Sequence, residues 1–314
     1  MNKRILLGLF VSSMIFLMGC AQQDDLAKGP FIGGTDGLDF GFVAGEPPAS
    51  VFDNNQEDFD ITINVENVGE FNIPSNSVIA TLGGIDSRDF GISSPNRILK
   101  TPLNGKTKSD KGEVFRGDQD ELRYENAKYK PDLVADFSTQ IRADVCYLYQ
   151  TRATTKACLK KKASSREVTD FCQVNNDNIK VENSAAPVQI RGVAERSAGT
   201  NEVQLTFVVE NVGSGKVYPK NTFSSECIRK EDKEDKLEIE VRTGSGRHGV
   251  KCSQLGNSNK GEIRLSTDKQ KQIRCRISTS GAPENAVEEP INIIINYFYR
   301  DAISTPLTIE DSEN

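Results

Sequence analysis

Apolar and polar residues alternate along much of this chain, and the alternation recurs. In Phe59-Asp60-Ile61-Thr62-Ile63-Asn64-Val65 every second side chain is apolar, and positions 203, 205, 207 and 209 repeat the pattern as Val, Leu, Phe and Val. A period of two marks a strand with one buried face. Both runs lead into the same five residues, Val-Glu-Asn-Val-Gly, at 65–69 and again 144 positions on at 209–213. The closing Asn-x-Gly predicts a turn in which glycine takes a positive φ and asparagine tolerates one. A second pair of runs, Ile141 to Tyr149 and Ile291 to Tyr299, lies 150 positions apart and ends in Tyr147-Leu148-Tyr149 and Tyr297-Phe298-Tyr299. After each, a short polar turn is expected, at 151–153 in the first copy, followed by further strands at 154–159 and 304–309.

Two matches in the same order and at nearly the same spacing indicate a duplicated domain, since solenoid repeats have periods of only ~20–50 residues. Further strand patterns lie at 38–43, 77–82, 188–194, 236–242, 262–266 and 272–277, and helical periodicity is nearly absent. Many short strands between turn signals predict an all-β chain of two tandem antiparallel β-sandwich domains, over residues 36–165 and 166–314. The polar stretches at 104–132, 159–168 and 229–236 read as solvated loops, the second of them as the interdomain linker.

The N-terminus departs from this pattern. Lys3 and Arg4 precede an apolar run over 5–17 that is broken only by Gly8, Ser12 and Ser13. It is shorter than the ~20 residues that span a bilayer, and fits an export signal. The Leu17-Met18-Gly19-Cys20 that follows resembles the lipobox of prokaryotic lipoproteins. The resemblance implies that residues 1–19 are removed as a signal peptide and that Cys20 is acylated. Residues 20–35 would then tether the fold to the membrane, giving an extracytoplasmic, membrane-anchored envelope protein.

Cysteine usage agrees with export. Beyond Cys20 there are six, Cys146, Cys158, Cys172, Cys227, Cys252 and Cys275, and an even number in an exported chain predicts disulfides. If 151–153 is a turn, Cys146 and Cys158 face one another across a hairpin. Cys252 and Cys275 flank strand-like runs, and elimination then pairs Cys172 with Cys227.

The strand ending in Asn-x-Gly, in tandem copies on an exported chain, resembles the CARDB-type immunoglobulin-like modules of prokaryotic surface proteins. The Cys-Tyr-x-Tyr run, a later cysteine and a closing Tyr-x-Tyr also resemble surface proteins of small-genome archaea. The resemblance covers most of residues 36–312, and implies an immunoglobulin-like fold and a surface location.

Composition narrows the function classes. A net charge of −6 argues against a nucleic-acid partner. His248, the single histidine, lies in a glycine-rich turn at 244–249 that lacks the Lys-Ser/Thr of a phosphate loop. With one histidine, Ser/His catalysis and multi-histidine metal sites have no support. The oxygen-rich run Asp53-Asn54-Asn55-Gln56-Glu57-Asp58 could offer ligands to Ca²⁺, but its residue types are also those of an ordinary turn. Arg116-Gly117-Asp118 spells an adhesion tripeptide, too short to carry much information. No catalytic, cofactor or metal site is therefore expected. The function expected is that of a non-enzymatic, lipid-anchored structural or binding protein of the envelope, with another surface protein or a polysaccharide as partner. The alternatives are an envelope assembly or secretion lipoprotein, and an accessory module of a surface hydrolase.

Overall fold

The structure is a computed structural model that describes residues 29–164 and 172–313. Cys20 and the expected signal peptide lie outside the described residues. The first repeat contributes β1 (Leu38–Phe42), β2 (Ser50–Phe52), β3 (Phe59–Asn67), β4 (Val78–Gly83) and β5 (Asn96–Ile98). It continues with β6 (Thr107–Lys108), β7 (Val114–Phe115), β8 (Gln119–Ala127) and β9 (Phe137–Leu159). The second begins with β10 (Asn176–Ile179), β11 (Glu182–Asn183), β12 (Val188–Ser197), β13 (Glu202–Asn211) and β14 (Lys216–Tyr218). It ends with β15 (Lys236–Thr243), β16 (Val250–Cys252), β17 (Lys260–Arg264), β18 (Gln270–Ser278) and β19 (Val287–Glu310). The chain is all-β, and no α-helix occurs among the described residues.

The alternating runs form the expected strands. β3 is the centre of a sheet β1-β3-β8, and its counterpart β13 lies within a sheet β10-β12-β13-β18-β16. Every second side chain of β13 is buried, from Val203 through Leu205 and Phe207 to Val209, as a one-sided strand requires. Both sheets face a third, the nine-stranded sheet that carries β17-β15-β19-β9-β4-β5. Tyr124 of β8 crosses to it by donating its hydroxyl to the Ala80 carbonyl of β4 at 3.3 Å.

That third sheet corrects the expectation of a turn at 151–153. β9 runs unbroken from Phe137 to Leu159, and β19 from Val287 to Glu310. The two pair antiparallel along the whole of β9, from Phe137↔Ile309 to Leu159↔Val287. The N-terminal part of β9 pairs with β4 of its own repeat, while its C-terminal part pairs with β11 and packs against β12 of the other. β19 does the converse. It pairs with β15 early and with β2 of the first repeat at its end, where Thr308 lies beside Ser50. Each repeat thus lends half a strand to the other, and one continuous hydrophobic core runs through both.

With β9 continuous, the expected disulfide Cys146–Cys158 cannot form. Twelve residues of extended strand separate its ends by about 40 Å, far beyond the Cα spacing of ~4.4–6.8 Å that a disulfide spans. The observed bonds are Cys146–Cys227, Cys158–Cys172 and Cys252–Cys275. The third is the expected pair, and the other two replace Cys146–Cys158 and Cys172–Cys227. Cys146 and Cys227 lie on the outer face of the shared sheet, in a small second core with Ile79, Tyr218, Phe223 and Phe298. The segment between β14 and β15 covers that face, so the disulfide fastens an insert of the second repeat onto a strand of the first.

Candidate functional site

The motifs singled out by the repeat meet at the middle of the shared ladder. Tyr147 lies opposite Tyr299, Leu148 opposite Phe298, and Tyr149 opposite Tyr297. At the repeat offset of 150, Leu148 and Phe298 are each other's counterparts, so the pairing has an approximate two-fold centre there. Leu148 and Phe298 point to the outer face, and the four tyrosines point inward. The rings form a closed circuit with centroid separations of 5.5 Å (Tyr147–Tyr299), 5.6 Å (Tyr147–Tyr149), 6.4 Å (Tyr149–Tyr297) and 6.5 Å (Tyr297–Tyr299). Tilted and edge-on contacts of this kind suit the ring quadrupole.

The last tyrosine of each Tyr-x-Tyr clasps an Asn-x-Gly. Tyr149 donates its hydroxyl to Oδ1 of Asn67 at 3.2 Å, and Tyr299 donates to Oδ1 of Asn211 at 3.4 Å. The same oxygens accept from Gly69 N at 3.3 Å and Gly213 N at 3.2 Å. The asparagine Nδ2 groups close the loops onto Phe71 O (2.7 Å) and Gly215 O (2.9 Å). Neither glycine has a positive φ, contrary to the sequence expectation. They are glycines because the hydroxyl lies where a Cβ would stand, 1.8 Å away for Tyr149 over Gly69 and 2.3 Å for Tyr299 over Gly213.

Burial pushes the hydroxyls of all four tyrosines above their ordinary range, so they remain neutral. Tyr297 is held by Thr151, at 3.0 Å, which in turn donates to Val188 O at 2.8 Å. Two grooves flank the centre at related positions. One, of about 320 Å³, is lined by Glu70, Phe71, Gln150 and Arg152, and the other, of about 270 Å³, by Asp36, Ser214, Tyr299 and Asp301. In the first, the Glu70 carboxylate accepts from Ile32 N (2.9 Å), Gly33 N (3.1 Å) and Ala185 N (2.6 Å), so its oxygens serve to join the two repeats.

The other sequence candidates are drawn into the fold. Asp53 is fully buried, with Oδ2 accepting from Leu133 N at 2.6 Å and Oδ1 from Ser312 N at 3.0 Å. The Ser312 hydroxyl and these amides hold its carboxyl below the usual range. Asn54 and Asn55 take positive φ, so the acidic run is a turn that fastens the 131–133 loop and residue 312. Asp118 accepts from Asn104 N and Nδ2 at 3.0 and 2.8 Å, and a Cβ on Gly117 would stand 2.1 Å from Asn67 O. The adhesion tripeptide is therefore part of the approach to β8. His248 is half-buried, with Nδ1 3.0 Å from Ser278 O. Among the described residues no cluster of three or more His, Cys, Asp or Glu is arranged to hold a metal.

Sequence reasoning missed Glu195. Its side chain is 1% exposed, and its two carboxylate oxygens accept from Cys158 N at 3.1 and 2.9 Å. Desolvation pushes its carboxyl up to about 7, against the opposing hydrogen bond from Cys158. The folded state then holds a proton that the unfolded state releases near pH 4.5, so this group's contribution falls between pH 4.5 and 7 and is flat above. The loss is about 3 kcal/mol at 1.36 kcal/mol per unit. In urea unfolding, Glu195→Gln should remove this slope and exceed the wild type by about 1–3 kcal/mol at pH 8, with little difference at pH 5. Parallel profiles for the two proteins would contradict the assignment.

The fold and its centre define a disulfide-bonded, all-β protein built from two strand-exchanged repeats. Three disulfides belong to an oxidising, extracytoplasmic compartment. No helix among the described residues is long and apolar enough to cross a membrane. No family model and no curated protein matches the chain. Among solved structures the chain is similar to Escherichia coli alpha-2-macroglobulin activated by porcine elastase, at a TM-score of 0.10 and 9% identity. That match covers 88% of this chain and 33% of the other, so the chain spans about a third of that structure's length. A likeness this slight carries no argument.

Proposed function

We propose that this chain is a non-enzymatic protein of the cell envelope, held to the membrane through an acylated Cys20, whose two immunoglobulin-like repeats act as one rigid structural or binding body. The observation that carries the reading is the reciprocal strand exchange. A hinge between the repeats would have to break the β9–β19 ladder, the tyrosine circuit and the Cys146–Cys227 bond together. Such a body suits a spacer or a fixed presentation surface. The binding of Asp53, Asp118 and His248 into turns and loops supports the same reading, because it leaves these groups positioned for the fold.

The test is fractionation of intact producing cells. Wild-type chain is expected in the membrane fraction and accessible to added protease, and Cys20→Ser is expected in the soluble fraction or unprocessed. Unchanged detergent-phase partitioning of the variant would remove the anchor from the proposal. Turnover of polysaccharide or peptide substrates by the purified chain would remove its non-enzymatic character.

A further inference from the structure

The second repeat carries a feature that the first lacks. Beyond β18, the counterpart of β8, its sheet is extended by β16, while among the described residues the first repeat's sheet stops at β8. Cys252 of β16 lies directly opposite Cys275 of β18, and their disulfide locks the added strand at this register. Both cysteines are fully buried, so their neighbours along each strand face solvent. Those neighbours are Lys251 on β16, and Arg274 and Arg276 on β18, all exposed.

Lys251 is directly opposite Arg276, and Arg274 follows two residues along on the same face. Like charges placed opposite one another destabilise a sheet. One carboxylate offsets them, Glu202, whose Oε2 is 3.6 Å from Arg276. Among the described residues neither Lys251 nor Arg274 forms an ion pair with an acid. The three cations line an open groove of about 440 Å³ together with Glu202, Gln204 and Asn257, which leaves an excess of two positive charges there on a chain whose net charge is −6. The matching register of Ile63↔Leu122 and Phe207↔Ile273 gives Arg123 as the first-repeat counterpart of Arg274. There Arg123 is neutralised by Glu121. Duplication alone therefore does not account for the cationic groove.

We propose that this groove binds an acidic saccharide through its carboxylate or sulfate groups, a ligand class that rests on reading the chain as an envelope binding protein. Arginine and lysine side by side match oxyanions through charge-assisted hydrogen bonds. The amides of Gln204 and Asn257 offer both donors and acceptors to sugar hydroxyls. Every lining side chain ends in a polar or charged group, and none is an aromatic ring on which a nucleobase could stack.

The experiment measures binding of dextran sulfate and polygalacturonate to the purified chain at about 50 mM salt, where screening is weak. Uncharged dextran and phosphatidylglycerol vesicles are run beside them. Both acidic polymers are expected to bind in a salt-sensitive way, and Lys251→Gln with Arg274→Gln should weaken them about tenfold or more. The thermal midpoint should hold or rise, because the substitutions relieve repulsion and touch no buried group. Lys111→Gln with Lys162→Gln removes the same charge from exposed positions elsewhere and should leave affinity within about twofold. The groove assignment is overturned by absent wild-type binding, by undiminished binding of the groove variant, by equal loss in the control pair, or by preference for the vesicles. Because the assay uses purified protein, its failure leaves the fractionation result standing, and the converse also holds.

Discussion

Gly69→Ala is expected to lower the stability of the folded chain by about 4 kcal/mol, among the larger losses a single methyl group can cause. The added Cβ would lie 1.8 Å from the Tyr149 hydroxyl, 2.6 Å from Ala185 O and 2.8 Å from Asp36 O. Two of these are backbone atoms of different segments, which cannot retreat by rotating a bond. Gly213→Ala should cost less, about 2–3 kcal/mol, since its nearest atom is the Tyr299 hydroxyl and the next, Pro187 Cβ, is 3.2 Å away. The two sites therefore respond differently to removal of the hydroxyl. Tyr299→Phe should recover most of the Gly213→Ala loss, although Asn211 Oδ1 and Gly215 N then lose a partner. Tyr149→Phe should recover little of the Gly69→Ala loss. Double-mutant cycles in urea read this coupling directly. Equal recovery at both sites would show that the carbonyls around Gly69 move freely, against the packing described.

Removing the Cys146–Cys227 bond by alanine substitution at both positions should cost about 4–5 kcal/mol, and removing Cys158–Cys172 about 3 kcal/mol. The ordering follows from the chain each bond closes in the unfolded state, with sequence separations of 81 and 14. Denaturant unfolding under oxidising conditions measures both, and non-reducing peptide mapping checks the connectivity itself by joining the peptide of Cys146 to that of Cys227. A larger loss for the short loop would indicate that the native-state packing of the covering insert, and not unfolded-chain entropy, sets the size of the effect.

The strands around the cores were legible because Ile, Val and Phe at alternate positions leave little choice of period. The exchange was not, because the half-strand that crosses into the other repeat is written in a weaker alphabet. Past Tyr149 the inward positions are Thr151, Ala153, Thr155 and Ala157, all at most 2% exposed. Their period of two persists, but threonine and alanine with Gln150 and Arg152 between them read as a polar turn. In β19 the pair Arg300-Asp301 looked like a break for the same reason. In the fold, Arg300 bonds to Asp144 of the first repeat at 2.6 Å, with both side chains largely covered. The Asn-x-Gly signal was located correctly but given the wrong cause, because a Tyr hydroxyl arriving from a strand over 80 residues away leaves no mark on local sequence. The cationic groove was invisible for a related reason. Lys251 and Arg276 are neighbours only through the pairing of β16 with β18.

A strand ladder that maps onto itself about a Leu148–Phe298 centre has the geometry of an isologous dimer contact, the kind formed by two identical subunits. Here both partners are carried on one polypeptide, so their association is a unimolecular equilibrium. A dimer released into a large outside volume separates once its concentration falls below its dissociation constant, whereas this pairing has an effective concentration set by the connecting chain. The folded form is consequently independent of copy number, and a single molecule at any dilution keeps both halves of its core.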